Sequence, residues 1–269
     1  MYDLAIVGGG PAGLAAAIHG RARDKSVLVV SNEPLASPLC KAERVDNYPG
    51  MPRTSGRAIV ETMLEQARDL GVEVRLGRVL NILSMGDTSY LGIGSDMEQA
   101  RAVILATGVV RTAKLPGEAE LLGRGVSYCA TCDGMLYRGK PIVVAGNAPN
   151  FREEVEFLQG IGCQVTEVGL GGLKILGENQ VEAVESKGER IPCAGVFLLR
   201  TAVAPTDLLP GLALEDGHIS VDRYMRTNVK GIYAAGDCTG APLQIAKAVG
   251  EGQMAAHTDV TELDRAETR

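Results

Sequence analysis

The strongest constraint on the fold is a run near the N-terminus, Gly8-Gly9-Gly10-Pro11-Ala12-Gly13, set between the β-rich segment Leu4-Ala5-Ile6-Val7 and the alanine-rich stretch 11–23. A glycine turn that leaves a buried strand and opens a helix has a defined physical use. Gly8 permits the tight turn, Gly10 lets the backbone approach a pyrophosphate, and Gly13 lets helix and strand pack closely, while the helix N-terminus offers positive potential to the phosphates. A second apolar run at 27–30 completes the β-α-β unit that this fingerprint requires. The acid expected at the end of that strand to hold a ribose is replaced by Ser31, with Asn32 and Glu33 beside it.

Two further apolar runs, 103–106 and 142–145, read as buried parallel strands, and 58–70 has an amphipathic helical pattern stopped by Gly71. After 142–145 come Asn147-Ala148-Pro149-Asn150, a helical segment 151–159 and a strand 164–168, so a second β-α-β unit begins there. The segment Ala113-Lys114-Leu115-Pro116-Gly117 is a natural break between the two. The tail Ile232-Tyr233-Ala234-Ala235-Gly236-Asp237 reads as a strand ending in a turn, followed by an alanine-rich helix, and is placed to return to the first sheet. The expected class is α/β with two nucleotide-domain-like halves.

The net charge of -6 argues against a nucleic-acid groove or an anionic membrane as the main partner, because both need a basic face. No apolar run approaches the roughly 18 residues that span a bilayer, and Met1-Tyr2-Asp3-Leu4 lacks the basic start of a signal peptide, so a cytosolic protein is expected. The 34 glycines among 269 residues follow no G-X-Y period and therefore belong to turns and close backbone approaches. Six cysteines are too sparse for a disulfide scaffold, and with histidines only at 19, 218 and 257 no metal-ligand cluster forms.

Within Cys129-Ala130-Thr131-Cys132-Asp133-Gly134 two thiols are spaced to close a disulfide across one turn, and Asp133 is placed to move protons as the dithiol forms and breaks. The alternative, half a zinc site or two buried thiols, lacks a second Cys-x-x-Cys or a His pair to complete four ligands.

The stretch Tyr128-Cys129-Ala130-Thr131-Cys132-Asp133-Gly134 together with Gly8-x-Gly10-Pro11-Ala12-Gly13, Asn47-Tyr48-Pro49-Gly50, Ala106-Thr107-Gly108 and Ala235-Gly236-Asp237 resembles the low-molecular-weight thioredoxin reductases, in that order and over almost the whole chain. The resemblance implies two Rossmann-like domains of the three-layer ββα kind: a discontinuous FAD-binding domain, 1–112 and 206–269, and a pruned domain, 113–205, that carries the redox disulfide. It implies FAD held by Gly8, Gly10, Pro11, Ala12 and Gly13 at the pyrophosphate, by Ser31, Asn32 and Glu33 at the strand end, by Asn47 near the isoalloxazine, by Ala106, Thr107 and Gly108, and by Gly236 and Asp237 at the ribityl or phosphate region. Gln244, followed by Ile245, matches the glutamine of an Arg-Gln-Ala element whose arginine is here Leu243. By the same resemblance Cys132 faces the flavin, Cys129 attacks the substrate disulfide, Asp133 is the acid/base, thioredoxin or a similar protein is the substrate, the enzyme is a homodimer, and a double hinge lies near 113–116 and 204–206.

The second unit departs from that pattern. Where the family has G-x-G-x-x-A, this chain has Gly146-Asn147-Ala148-Pro149-Asn150-Phe151, and where the family clusters His and Arg around the 2′-phosphate of NADPH it has Gly169-Leu170-Gly171-Gly172. The span 172–191 is short for the hairpin and strands expected there. The pattern resembles the members that do not use pyridine nucleotides, in which reduced ferredoxin is the donor and NADPH is not bound. The alternatives are an NAD(P)H-dependent thioredoxin reductase, a diflavin-linked oxidoreductase with a second flavin in the vacated site, and a non-enzymatic flavin-binding protein. Arg21, Arg23, Arg111 and Lys114 form either a docking patch for acidic ferredoxin or a solvated face, and Cys238 reads as a small buried residue at a strand end.

Overall fold

The computed structural model describes residues 1–32, 37–109, 114–148, 151–200 and 204–267. The chain forms two compact units, one of residues 1–110 and 204–269 and one of residues 111–203.

The first unit opens with β1 (Tyr2–Val7), α1 (Pro11–Arg21), β2 (Val27–Ser31), α2 (Gly56–Asp69) and β3 (Glu73–Leu76). β1 pairs in parallel with β2, and β2 with β3, so that Ile6 lies opposite Val29 and Val29 opposite Val74. Leu4, Ala5 and Ile6 are fully buried in succession, the mark of a parallel strand covered on both faces. α2 is capped by the Ser55 hydroxyl, which accepts from Ala58 N at 3.2 Å, and buries Ile59, Val60, Met63, Leu64 and Ala67 along one face. The Arg21 guanidinium donates to Leu70 O at 3.0 Å and Lys25 O at 2.8 Å, so it ties loops of the unit together. Arg111, another member of the basic set, lies outside the described residues.

The run 103–106 is the end of a ten-residue strand, β6 (Asp96–Leu105), preceded by β4 (Val79–Met85) and β5 (Thr88–Ile93) in an antiparallel meander. The sequence reading did not single out this meander; β5 alternates buried and part-exposed residues, and the turns carry Gly86-Asp87 and Gly94-Ser95, with both glycines at positive φ.

The second unit contains α3 (Glu118–Leu121), β7 (Val126–Ser127), α4 (Ala130–Asp133), β8 (Pro141–Gly146), α5 (Phe151–Gly160), β9 (Gln164–Val168), β10 (Lys174–Leu176), β11 (Ala183–Ser186), β12 (Glu189–Pro192) and β13 (Gly195–Leu199). A parallel sheet runs β7-β13-β8-β9, with every residue of β13 buried, and an antiparallel sheet runs β10-β11-β12. The expectation that 172–191 is short for such strands is corrected: strands of three or four residues suffice, with a two-residue turn between β11 and β12. Arg200 donates to both oxygens of the fully buried Glu118, at 2.8 and 2.9 Å, and Leu115 N and the Tyr128 hydroxyl complete the carboxylate's partners. A buried pair persists when its remaining lone pairs are satisfied in this way.

The chain returns to the first unit through α6 (Pro205–Leu208), β14 (Leu214–Glu215) and β15 (His218–Ile219), then β16 (Ile232–Ala234), which pairs in parallel with β6, and α7 (Ile245–Glu267), which packs on α1. Among the described residues no helix is long and apolar enough to cross a membrane.

Asp259 of α7 is 1% exposed and its Oδ2 has no hydrogen-bond partner. Burial, with the nearby Glu262 and Asp3 carboxylates, pushes its pKa up to about 8, against opposing contributions from Arg101 and Lys25. The folded state therefore holds a proton that the unfolded chain releases near 3.8, and stability falls as pH rises from about 4 through about 8. Asp259→Asn is expected to flatten this dependence, raising the urea midpoint at pH 8.5 relative to the parent while changing it little at pH 4; parallel melts at the two pH values check this.

Candidate functional site: a glycine cradle and a redox disulfide

The first unit places the glycine turn at the carboxyl ends of its parallel strands, where ligands of open α/β sheets bind. Gly8 has φ +119°, and a Cβ there would lie 2.2 Å from Ala106 O; a Cβ on Gly13 would lie 1.9 Å from Gly8 O. These two glycines are required by backbone packed on backbone. Gly10 is different: a Cβ there would meet nothing within 4 Å, so no contact within the protein requires glycine at this position. α1 begins beyond Gly10 with Pro11 in its first turn, no side-chain cap and no acidic residue, leaving its N-terminal positive potential uncompensated.

Several of the other candidate residues lie beside this turn, brought from distant parts of the chain. Ser31 ends β2 beside the turn, where Gly8 N donates to Val30 O at 2.9 Å. Ala106 donates its N–H to Val7 O at 2.9 Å, which sets Thr107 and Gly108 next to Gly8. The Thr107 hydroxyl is buried without a geometrically satisfied hydrogen bond and lies beside Cys238, whose thiol donates to Leu105 O and Ala235 O. Burial pushes that thiol up to about 11, which disfavours the thiolate. Gly236 abuts Ala12, which brings the Asp237 turn against the start of α1. Burial raises the Asp237 carboxyl above the usual range; the Lys247 ammonium opposes this and the Glu251 carboxylate adds to it. Asn47 donates to Gln244 Oε1 at 2.8 Å across 197 positions of sequence, and Ile245 starts α7 directly after. Asn32 is exposed, and Glu33 lies outside the described residues.

In the second unit Cys129 and Cys132 form a disulfide, with Cα atoms 5.4 Å apart. Cys129 is the buried sulfur, at 8% residue exposure, and Cys132 is exposed. Cys129 occupies the N-cap of α4, and its Sγ accepts from Cys132 N at 3.1 Å with the Thr131 hydroxyl at 3.4 Å. Ser127, which the sequence reading did not single out, is the hub. Its hydroxyl accepts from Cys129 N at 3.1 Å and meets Asp133 Oδ2 at 2.6 Å, fixing the carboxyl relative to the motif. Nothing but its position two residues before the first cysteine marked it. Cys163 and Cys193 are buried, with their thiols raised by desolvation.

The turn after β8 is built unlike the one after β1. A Cβ on Gly146 would lie 2.0 Å from Leu199 O, the same close approach as at Gly8, but Asn147 N and Ala148 N both donate to Leu199 O at 3.0 Å. Ala148 is buried in a cluster with Ile142, Val144, Phe197 and Leu199, and Phe151 packs against it. The one arginine early in α5, Arg152, pairs with Glu167 of β9 at 2.9 Å.

A glycine cradle for a dinucleotide on one α/β unit and a Cys-x-x-Cys disulfide on another define a flavoprotein disulfide oxidoreductase. The chain belongs to the pyridine nucleotide-disulphide oxidoreductase family, whose model matches residues 2–171 and 169–252. Within it, the chain is 31% identical to the thioredoxin reductase of Listeria monocytogenes, over 95% of this chain and 92% of that protein, and 33% identical to that of Treponema pallidum, over 98% and 97%. Among solved structures, a ferredoxin-flavin thioredoxin reductase from Clostridium acetobutylicum superposes with a TM-score of 0.92 at 35% identity, covering 100% of this chain and 99% of that one. A thioredoxin reductase from Gloeobacter violaceus gives 0.82 at 32% identity, covering 98% and 95%.

The two kinds of glycine should separate in mutation. Gly10→Ala is expected to fold with stability within about 0.5 kcal/mol of the parent yet hold flavin at least about tenfold more weakly, whereas Gly13→Ala should fail to reach the native state at all. Urea melts and the flavin absorbance retained through gel filtration distinguish the two outcomes.

Proposed function

We propose that the protein reduces the disulfide of thioredoxin, or a similar protein, through Cys129 and Cys132, using FAD bound in the first unit and reduced ferredoxin, rather than NADPH, as electron donor. The residues present fit FAD: the open side of Gly10 and the uncapped start of α1 lie where a dinucleotide needs backbone approach and positive potential. On this reading Gly8 to Gly13 face the pyrophosphate, Ser31 to Glu33 the adenosine ribose, and Asn47, Gln244, Ile245, Gly236 and Asp237 the ribityl and flavin end. FAD supplies a carrier that takes electrons singly and delivers them in pairs, as a one-electron donor requires.

The protein's own part is thiol–disulfide exchange. With the dithiol reduced, the Cys129 thiolate attacks a sulfur of the substrate disulfide, forming a mixed disulfide and releasing one substrate thiolate; the Cys132 thiolate then attacks Cys129 Sγ, releasing the second and restoring the Cys129–Cys132 bond. The two released thiolates take up two protons, and Asp133, held by Ser127, is the group placed to deliver them. The Cys132 N–H and the Thr131 hydroxyl stabilise the anionic Cys129 sulfur. Met135 and Leu136, exposed at 57% and 67% directly after the motif, give a protein substrate an apolar surface to dock on.

The observation that carries the choice of donor is the filled second turn. Ala148 and Phe151 sit in the core where a dinucleotide needs bare backbone, Ala148 N already bonds Leu199 O, and 169–172 offers no guanidinium to a 2′-phosphate. The likeness to a ferredoxin-flavin thioredoxin reductase agrees with this. The cytoplasmic location expected from the sequence belongs to the same reading. The expected homodimer and the division at 1–112, 113–205 and 206–269 belong to the same reading.

Anaerobic titration of the bound flavin is expected to show full bleaching by reduced ferredoxin and little by NADPH or NADH at micromolar concentration; rapid bleaching by NADPH would overturn the assignment of donor. The exchange roles are tested separately, because exposure alone favours Cys132 as the attacking sulfur. Cys132→Ser should trap a mixed disulfide between Cys129 and thioredoxin, and Cys129→Ser should trap none and turn over no substrate while keeping its flavin. A trap formed only by Cys129→Ser would reverse the two roles.

A further inference from the structure

Lys247 and Glu251 stand four residues apart on α7, a spacing that in a sequence reads as an ordinary solvated helix pair. Here both side chains turn inward, at 16% and 20% exposure, with Lys247 Nζ 3.2 Å from Glu251 Oε2. The ammonium spends its three protons on one short turn: it donates to Gly236 O at 3.0 Å, to Thr239 Oγ1 at 3.0 Å and to Gly240 O at 2.7 Å. The Glu251 carboxylate takes the donors of the same turn, Gly236 N and the Thr239 hydroxyl, both at 2.9 Å. Between them lies Asp237, in a turn whose flanking residues, Gly236 at φ +86° and Gly240 at φ +109°, adopt conformations favoured only by glycine. Such a turn has little intrinsic preference for a single shape, so its shape is set by what holds it.

The same stretch of α7 contacts the glycine cradle. A Cβ on Gly252, next to Glu251, would lie 2.1 Å from Ala12 O in the first turn of α1, and one on Gly236 would lie 2.8 Å from Ala12 Cβ. Gln244, one residue before the helix, receives the Asn47 amide. Within the nine residues 244–252, the start of α7 and the residue before it thus carry the anchor of the Asp237 turn, a backbone contact with α1 and the partner of Asn47.

We infer that the Lys247–Glu251 pair is a clamp that fixes the Asp237 turn against the start of α1 and so sets the position of Asp237 toward FAD. This rests on the reading of Asp237 as a cofactor contact. The pair touches neither the disulfide nor, with its protons already committed, a ligand; its members are positioning residues. Neither residue belongs to the motifs that identify the family here, and each would be passed over as a surface charge.

The test follows release of FAD from diluted holoenzyme by recovery of flavin fluorescence, in Lys247→Met, Glu251→Gln, Asp237→Ala and the double variant Lys247→Met with Asp237→Ala. Lys247→Met should weaken retention about tenfold, Glu251→Gln, which keeps an amide oxygen for the two donors, by less, and the double variant should be no worse than Asp237→Ala alone, because the clamp acts through that residue. Unchanged retention in Lys247→Met, or a loss that adds fully to that of Asp237→Ala, would overturn the clamp. Unchanged retention in Asp237→Ala would instead remove Asp237 as a contact, and the clamp with it. Should Lys247→Met not fold, Glu251→Gln and Lys247→Arg, which keeps the charge with altered donor geometry, carry the same comparison.

Discussion

The first unit depends on backbone meeting backbone where no side chain fits. Gly8 against Ala106 O, Gly13 against Gly8 O and Gly252 against Ala12 O bring the end of β1, the start of α1, the segment after β6 and the flank of α7 within van der Waals reach of each other. Any Cβ would push these elements apart by an ångström or more, and the arrangement of the binding edge follows from their not being pushed. Hydrophobic burial supplies the bulk of the stabilisation around them, through Leu4, Ile6, Leu14, Val29 and Ile104. Burial is non-directional, however, and the glycine contacts determine how closely the buried elements approach.

The second unit begins its nucleotide-like fold with the same device and then uses it differently. Gly146 meets Leu199 O as Gly8 meets Ala106 O, so the strand-to-turn geometry is alike. Beyond it, Ala148 is buried in hydrophobic core with Phe151 packed against it, and the Asn147 and Ala148 N–H groups are spent on Leu199 O. The same strand-end glycine thus leads into an open turn in one unit and into packed side chains in the other.

The redox motif shows the opposite economy, in which nearly everything needed is local. A Cys-x-x-Cys on one helical turn brings its sulfurs together by helix geometry alone, and Asp133 follows in the same turn. What tertiary structure adds is orientation: Ser127 at the end of β7 ties Asp133 to the Cys129 backbone, and Glu118, itself held by Arg200, receives the Tyr128 hydroxyl next to the disulfide. The motif is thereby anchored to the sheet on both sides of its first cysteine.

Periodicity and motif were enough to read the two β-α-β units, the return of β16 to the first sheet, and the cysteine pair, because each is encoded within a dozen neighbouring residues by side-chain volume and backbone freedom. The β4–β5 meander was equally local but was not read, although its turns at Gly86 and Gly94 lie at positive φ. Other features were not legible, for a common reason. Whether Gly10 is open while Gly13 is obstructed, whether Asn47 meets Gln244, and whether Lys247 and Glu251 face solvent or the Asp237 turn are questions about which distant segments are adjacent. A helix pair at i and i+4 has the same sequence in either case. Only the packing of α7 on α1, which joins the two ends of a discontinuous unit, determines which face of the helix carries the charges inward.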